Sequence, residues 1–85
     1  MNKMAEQIRE VDSVINSLNE IQADSTVPRN VRTKIENIIN TLKEGTESIR
    51  VSKALNELDE IAGDINLQAY TRTQIWNVMS VLEKL

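Results

Sequence analysis

The chain has 85 residues, 40% of them hydrophobic and 27% charged, with a net charge of −3. That is one domain of ordinary globular composition: too apolar for a disordered chain, and too acidic for nonspecific attraction to nucleic acid or anionic lipid. It contains no Cys and no His, which excludes disulfides, thiolate zinc sites, a histidine general base and a cysteine nucleophile.

The N-terminal residues lead into no apolar secretory core, and no apolar run approaches membrane-spanning length. A cytoplasmic, membrane-free location is the expectation. The first periodic segment runs from about Asn2 to Ala23. Met4, Ile8, Val11, Ile15 and Leu18 step by three or four, flanked by Val14 and Ile21, as on one face of an amphipathic helix. Asp24-Ser25-Thr26-Val27 breaks the pattern. Thr26 is a candidate N-cap for a second helix, with Pro28 in its first turn, where the missing N–H costs nothing. Val31, Ile35, Ile38, Ile39 and Leu42 form the second stripe, and Gly45 offers a stop. Thr46 is the candidate cap of a third helix, whose apolar positions are Val51, Ala54, Leu55, Leu58, Ile61 and Ala62, ending near Gly63. Asn66 is the candidate cap of the fourth, with Ile75, Val78, Met79, Leu82 and Leu85 on one face and Trp76 and Val81 off it. No stretch alternates with period two long enough to be a strand.

Residues 11–45 align without a gap on residues 51–85, at an offset of forty. Identical pairs are Val11/Val51, Asn16/Asn56, Leu18/Leu58, Glu20/Glu60, Ile21/Ile61, Asp24/Asp64, Arg32/Arg72, Thr33/Thr73, Ile35/Ile75, Asn37/Asn77 and Leu42/Leu82. Chance would give roughly two at ordinary residue frequencies. The unit is one helical hairpin, which cannot cover its own apolar face, so two must combine. The expectation is an all-α single domain over residues 1–85: two tandem hairpins forming a pseudo-symmetric four-helix bundle. A HEAT-like stack is the alternative, since Asp24…Val31-Arg32 is similar to the signature that introduces the second helix of such units.

Thr26-Val27-Pro28-Arg29-Asn30-Val31-Arg32, followed by Arg72-Thr73-Gln74-Ile75-Trp76, resembles a small archaeal uncharacterised protein family of the UPF series, UPF0147. The resemblance spans nearly the whole chain. It implies an all-helical fold and an archaeal source, and no activity or mechanism.

Four sets of polar or aromatic residues stand out. Asp24/Asp64 and Arg32/Arg72 read as helix-start carboxylates paired with arginines, or as a site where arginine grips a carboxylate or phosphate of a partner. Thr33/Thr73 and Asn37/Asn77 share a helix face at spacing four and can hydrogen-bond across a pseudo-twofold axis if the second and fourth helices meet. Trp76 stands where the first copy has Glu36, and Tyr70 where it has Asn30. Either the N-terminal extension, residues 1–10, folds over Trp76, or the indole anchors a partner or second subunit. Glu20, Glu60, Asp24 and Asp64 are the candidates for a carboxylate-only metal site, set against ordinary solvated or capping charges. No phosphate-binding glycine loop exists with only Gly45 and Gly63.

These features point away from catalysis and from any cofactor. They favour a small soluble helical module that binds another protein or itself, a homodimer being one form. The alternative is a nucleic-acid or ribosome-associated factor using Arg29, Arg32, Lys34, Lys43 and Arg72 as a local basic stripe on an acidic protein.

Overall fold

The structure, a computed structural model, describes residues 3–85, with side chains from Gln7 onward. Four helices follow in order: α1 (Lys3–Ala23), α2 (Arg29–Glu44), α3 (Ser48–Ala62) and α4 (Ala69–Leu82). No strand occurs among the described residues. Each apolar stripe turns inward because only burial against neighbouring helices offsets the entropy lost in ordering so short a chain. Leu18, Ile21, Ile35, Ile38, Leu58, Ile61, Ile75 and Leu82 are the largest side chains cut off from water. Burying each contributes about 1.5–3 kcal/mol relative to exposure. Positions forty apart share this core: Leu18 with Leu58, Ile21 with Ile61, Ile35 with Ile75 and Leu42 with Leu82 are all buried.

The helices neighbour one another in a ring, α1 against α2, α2 against α3, α3 against α4, and α4 back against α1. The diagonal pairs α1/α3 and α2/α4 do not approach. This is a four-helix bundle. In a two-unit HEAT-like stack the first helices of the two hairpins would lie side by side; here α1 lies along α4 instead. The absence of an α2/α4 contact also removes the expected hydrogen bonding of Thr33, Thr73, Asn37 and Asn77 across an axis. All four are exposed, and the Thr33 and Thr73 hydroxyls donate to their own helices, at the carbonyls of Arg29 and Ala69 (3.1 Å each).

Two further expectations change. Ile8, placed on the core stripe by periodicity, is 56% exposed. α1 has 21 residues against 16, 15 and 14 in the others; at 1.5 Å per residue it outruns them by about 8–10 Å. Ile8 lies near the start of α1, at the rim of a groove with Gln7, Val11, Asp12 and Thr46 of the α2–α3 link, and stays open to solvent. Met4 lies outside the described side chains.

None of the three expected caps forms: Pro28, Glu47 and Gln68 occupy the cap positions of α2, α3 and α4 without side-chain hydrogen bonds. In the two long links, aspartate takes the donors first. The Asp24 carboxylate accepts from the Thr26 N–H (2.9 Å) and the Thr26 hydroxyl (2.7 Å). Asp64 accepts from the Asn66 N–H (2.9 Å). Each is a local turn that competes with helix formation, and the helix starts two residues later than Thr26 or Asn66 as cap would set it. In both links the aspartate carbonyl also accepts from the buried residue three on, Val27 or Leu67 (3.1 Å each). At the third link, Glu47 and Glu44 both accept from the Arg50 guanidinium (2.7 and 3.0 Å), tying the end of α2 to the start of α3. Gly45 follows α2 in extended backbone and Gly63 closes α3 in helical backbone, so neither provides the left-handed cap associated with glycine.

Candidate interaction surface

The Asp/Arg pairs turn out to be two different things. Arg72 leaves the first turn of α4 and crosses to the end of α3. Its Nε donates to the Ala62 carbonyl (2.8 Å), and its Nη2 donates to the carbonyls of Asp64 (2.9 Å) and Leu67 (3.2 Å). Ala62 is the last residue of α3, where carbonyls lack intrahelical partners and the helix dipole favours a cation. Arg72 thus ties its hairpin together through main chain, not through the Asp64 carboxylate. Arg32, at the matching position, makes no ion pair among the described residues. Its Nε is buried without a hydrogen-bond partner. The expected aspartate–arginine pairing is absent in both hairpins, because each carboxylate is already turned to its own link.

Asp24 carries a measurable consequence. The hydroxyl and N–H of Thr26 favour its charged form and hold its carboxyl below the ordinary value of 3.8. A group depressed on folding stabilises the fold fully above its unfolded value and loses that contribution as pH falls through the lowered one. Stability measured by urea denaturation is expected to drop as pH falls below about 3.8, and Asp24→Asn is expected to flatten part of that drop. An unchanged acid profile in the variant would assign the drop to other carboxylates.

The basic residues do not form one stripe. Arg29 and Arg32 line a groove between α1 and α2 together with Gln22, Thr33 and Glu36. Lys34 faces the other way, into a groove between α2 and α3 with Lys53, Glu57 and Glu60. Arg72 is held by carbonyls. Glu36 accompanies Arg29 and Arg32, and Glu57 and Glu60 accompany Lys34, so acids interrupt the basic residues in both grooves. Nor do the acids gather: no cluster of three or more acidic side chains suited to a metal ion occurs among the described residues. Glu20 and Asp24 belong to one end of α1 and its link, Glu60 and Asp64 to α3 and its link, and α1 and α3 are not neighbours.

The remaining candidates converge on α4. Trp76 is 54% and Tyr70 70% exposed. Trp76 lies one turn after Arg72 on the flank that leads to α3. α1 lies on the opposite flank, so the described part of the N-terminal extension, Gln7 to Glu10, leaves the indole uncovered; its first six residues lie outside the described side chains. Between Ala69 and Leu82 the only charged residue is Arg72, and its guanidinium is committed. The matching surface of α2 carries Arg29, Lys34 and Glu36, where α4 has Ala69, Gln74 and Trp76. The neighbouring face of α1 shows Ser13 and Ser17 where α3 has Lys53 and Glu57. The outward side of α4 is thus neutral and aromatic where that of α2 is charged.

No described helix is long and apolar enough to cross a membrane. A comparison with curated proteins gave no match. Among solved structures, the chain is similar to the crystal structure of an unknown-function protein designated MMP1188, at 37% identity over 89% of each chain, with a TM-score of 0.81. The model of an uncharacterised protein family, UPF0147, matches residues 1–85. On that match the chain belongs to the UPF0147 family, and its four-helix bundle is shared with a solved protein of unknown function.

Proposed function

We propose that the protein is a non-enzymatic protein-interaction module whose docking surface is the outward side of α4. The observation that carries this reading is the loss of charge on α4 relative to α2. Two helices with matching cores differ on their outer sides, and the difference removes three charges while adding a tryptophan and a tyrosine. Aromatic anchors on a face depleted in charge are the pattern of a protein-binding patch, since burying charges there would cost desolvation. The absence of His and Cys agrees with a non-catalytic role, and a Cys-free chain suits a reducing, cytoplasmic setting.

Site-specific photo-crosslinking in native cells tests this. A photoreactive residue at Ser80, on the exposed side of α4, is expected to yield discrete protein adducts. The same residue at Ser52, exposed on α3, is expected to yield few. Equal adducts from both positions, or none from Ser80, would sink the reading. A parallel titration with RNA and DNA is expected to show no binding that weakens steeply with salt.

A further inference from the structure

We infer that the occupant of the α4 face is a second copy of this chain, packed with its own α4 antiparallel about a twofold axis at Thr73. This rests on the reading of α4 as the docking surface and names its partner. In a twofold contact a surface meets itself, so a charge near the axis meets its own copy. The exposed sides of α1, α2 and α3 all carry charges that would oppose themselves in this way, such as Asp12 and Glu20, Arg29 and Lys34, and Asp59 and Glu60. At −3 per chain, two copies also repel one another overall. The charge-free side of α4 is the one long surface where they meet without opposing like charges. A copy supplies the matching neutral surface.

The shape agrees. Ala69, Thr73 and Ser80 run along the middle of the exposed side at helical spacing, and these small residues allow two helix axes to approach to about 8–10 Å. Tyr70 and Trp76 flank this ridge, about 120° apart around the helix. Thr73 lies midway between them in sequence. An antiparallel contact centred there sets Trp76 of one copy level with Tyr70 of the other. Both indoles then fall on one side of the interface, about 9 Å apart along the helix axis, and both phenols on the other. α4 is about 21 Å long at 1.5 Å per residue, so the contact is smaller than a standard interface of about 800 Å² per partner. The association is therefore concentration-dependent.

Sedimentation velocity from micromolar to near-millimolar protein tests the proposal. The mass is expected to rise from the 9.7 kDa of one chain toward that of a dimer. Thr73→Lys and Trp76→Glu, both at exposed positions, are expected to raise the dissociation constant roughly tenfold or more, as loss of an interface centre does. Circular dichroism is expected to show an unchanged helical fold in both. Asn37→Lys, on the exposed side of α2, is expected to leave the association intact. A single-chain mass at every concentration overturns the second copy as occupant, while the crosslinking adducts at Ser80 still judge α4 as a docking surface. A dimer that survives both α4 substitutions overturns α4 as the contact between copies, and the Ser80 adducts again judge α4 as a docking surface.

Discussion

Arg72→Met is expected to lower the unfolding free energy by about 3 kcal/mol, and Arg32→Met by about 1 kcal/mol or less, although the two arginines occupy matching places in the sequence. Arg72 gives three hydrogen bonds to main-chain carbonyls, one of them at the open end of α3. Methionine keeps much of the apolar stem and deletes every one of those donors. The Ala62 and Leu67 carbonyls would then have to find water in a partly buried place. Arg32 has no such bonds to lose, and its buried Nε is already without a partner. Removing a desolvated, unpaired donor offsets part of the lost packing. Urea denaturation at equal slope reads the difference directly. In a domain of this size about 3 kcal/mol corresponds to a fall in melting temperature of roughly 12–24 °C. Equal losses in the two variants would mean that both arginines hold their hairpins in the same way, and the asymmetry would be wrong.

Ile75→Ala should cost about 3–4 kcal/mol, within the range for large-to-small changes in a packed core. Ile75 is fully buried and sits among the largest core side chains. An 85-residue chain has a total stability of roughly 4–13 kcal/mol, so this one truncation brings the protein near its unfolding threshold. Ile8→Ala, by contrast, should stay within about 0.5 kcal/mol, because that side chain is largely exposed at the rim of a groove. The pair of measurements separates periodicity from packing, since both isoleucines fall on an apolar stripe in the sequence. A comparable loss at Ile8 would show that the first turns of α1 are covered.

The helices and most of the core were legible because the stripes in α2, α3 and α4 repeat at helical spacing, and that spacing has one structural meaning. Ile8 was misread for the same reason: periodicity shows which side of a helix is apolar, and only the lengths of neighbouring helices show where covering ends. Thr26 and Asn66 look like caps residue by residue, but each lies inside a turn closed by an aspartate. Asp24 and Asp64 sit two residues upstream and fold each link into a turn through the Thr26 and Asn66 N–H groups, so each helix begins beyond it. The Asp/Arg identities were visible, but a guanidinium satisfies itself equally well with carbonyls, and which it chooses depends on where the chain ends a helix. Lys34 could not be separated from Arg29 and Arg32 until the grooves on the two sides of α2 were distinguished. Trp76 is legible as a position off the core stripe because its twin, Glu36, is charged, but the sequence leaves open whether the N-terminal extension covers it.

That adjacency has a consequence for the order of the chain. α1 and α4 run antiparallel as neighbours, so the start of α1 and the end of α4 lie at the same end of the bundle, beside the α2–α3 link at residues 45–47. A ring of this kind has no intrinsic first helix. Joining the end of α4 to the start of α1 and cutting within 45–47 would give the order α3, α4, α1, α2 and preserve all four neighbour pairs. The two hairpins then exchange places in the chain order without changing their neighbours, while the charge on their outer sides still tells them apart.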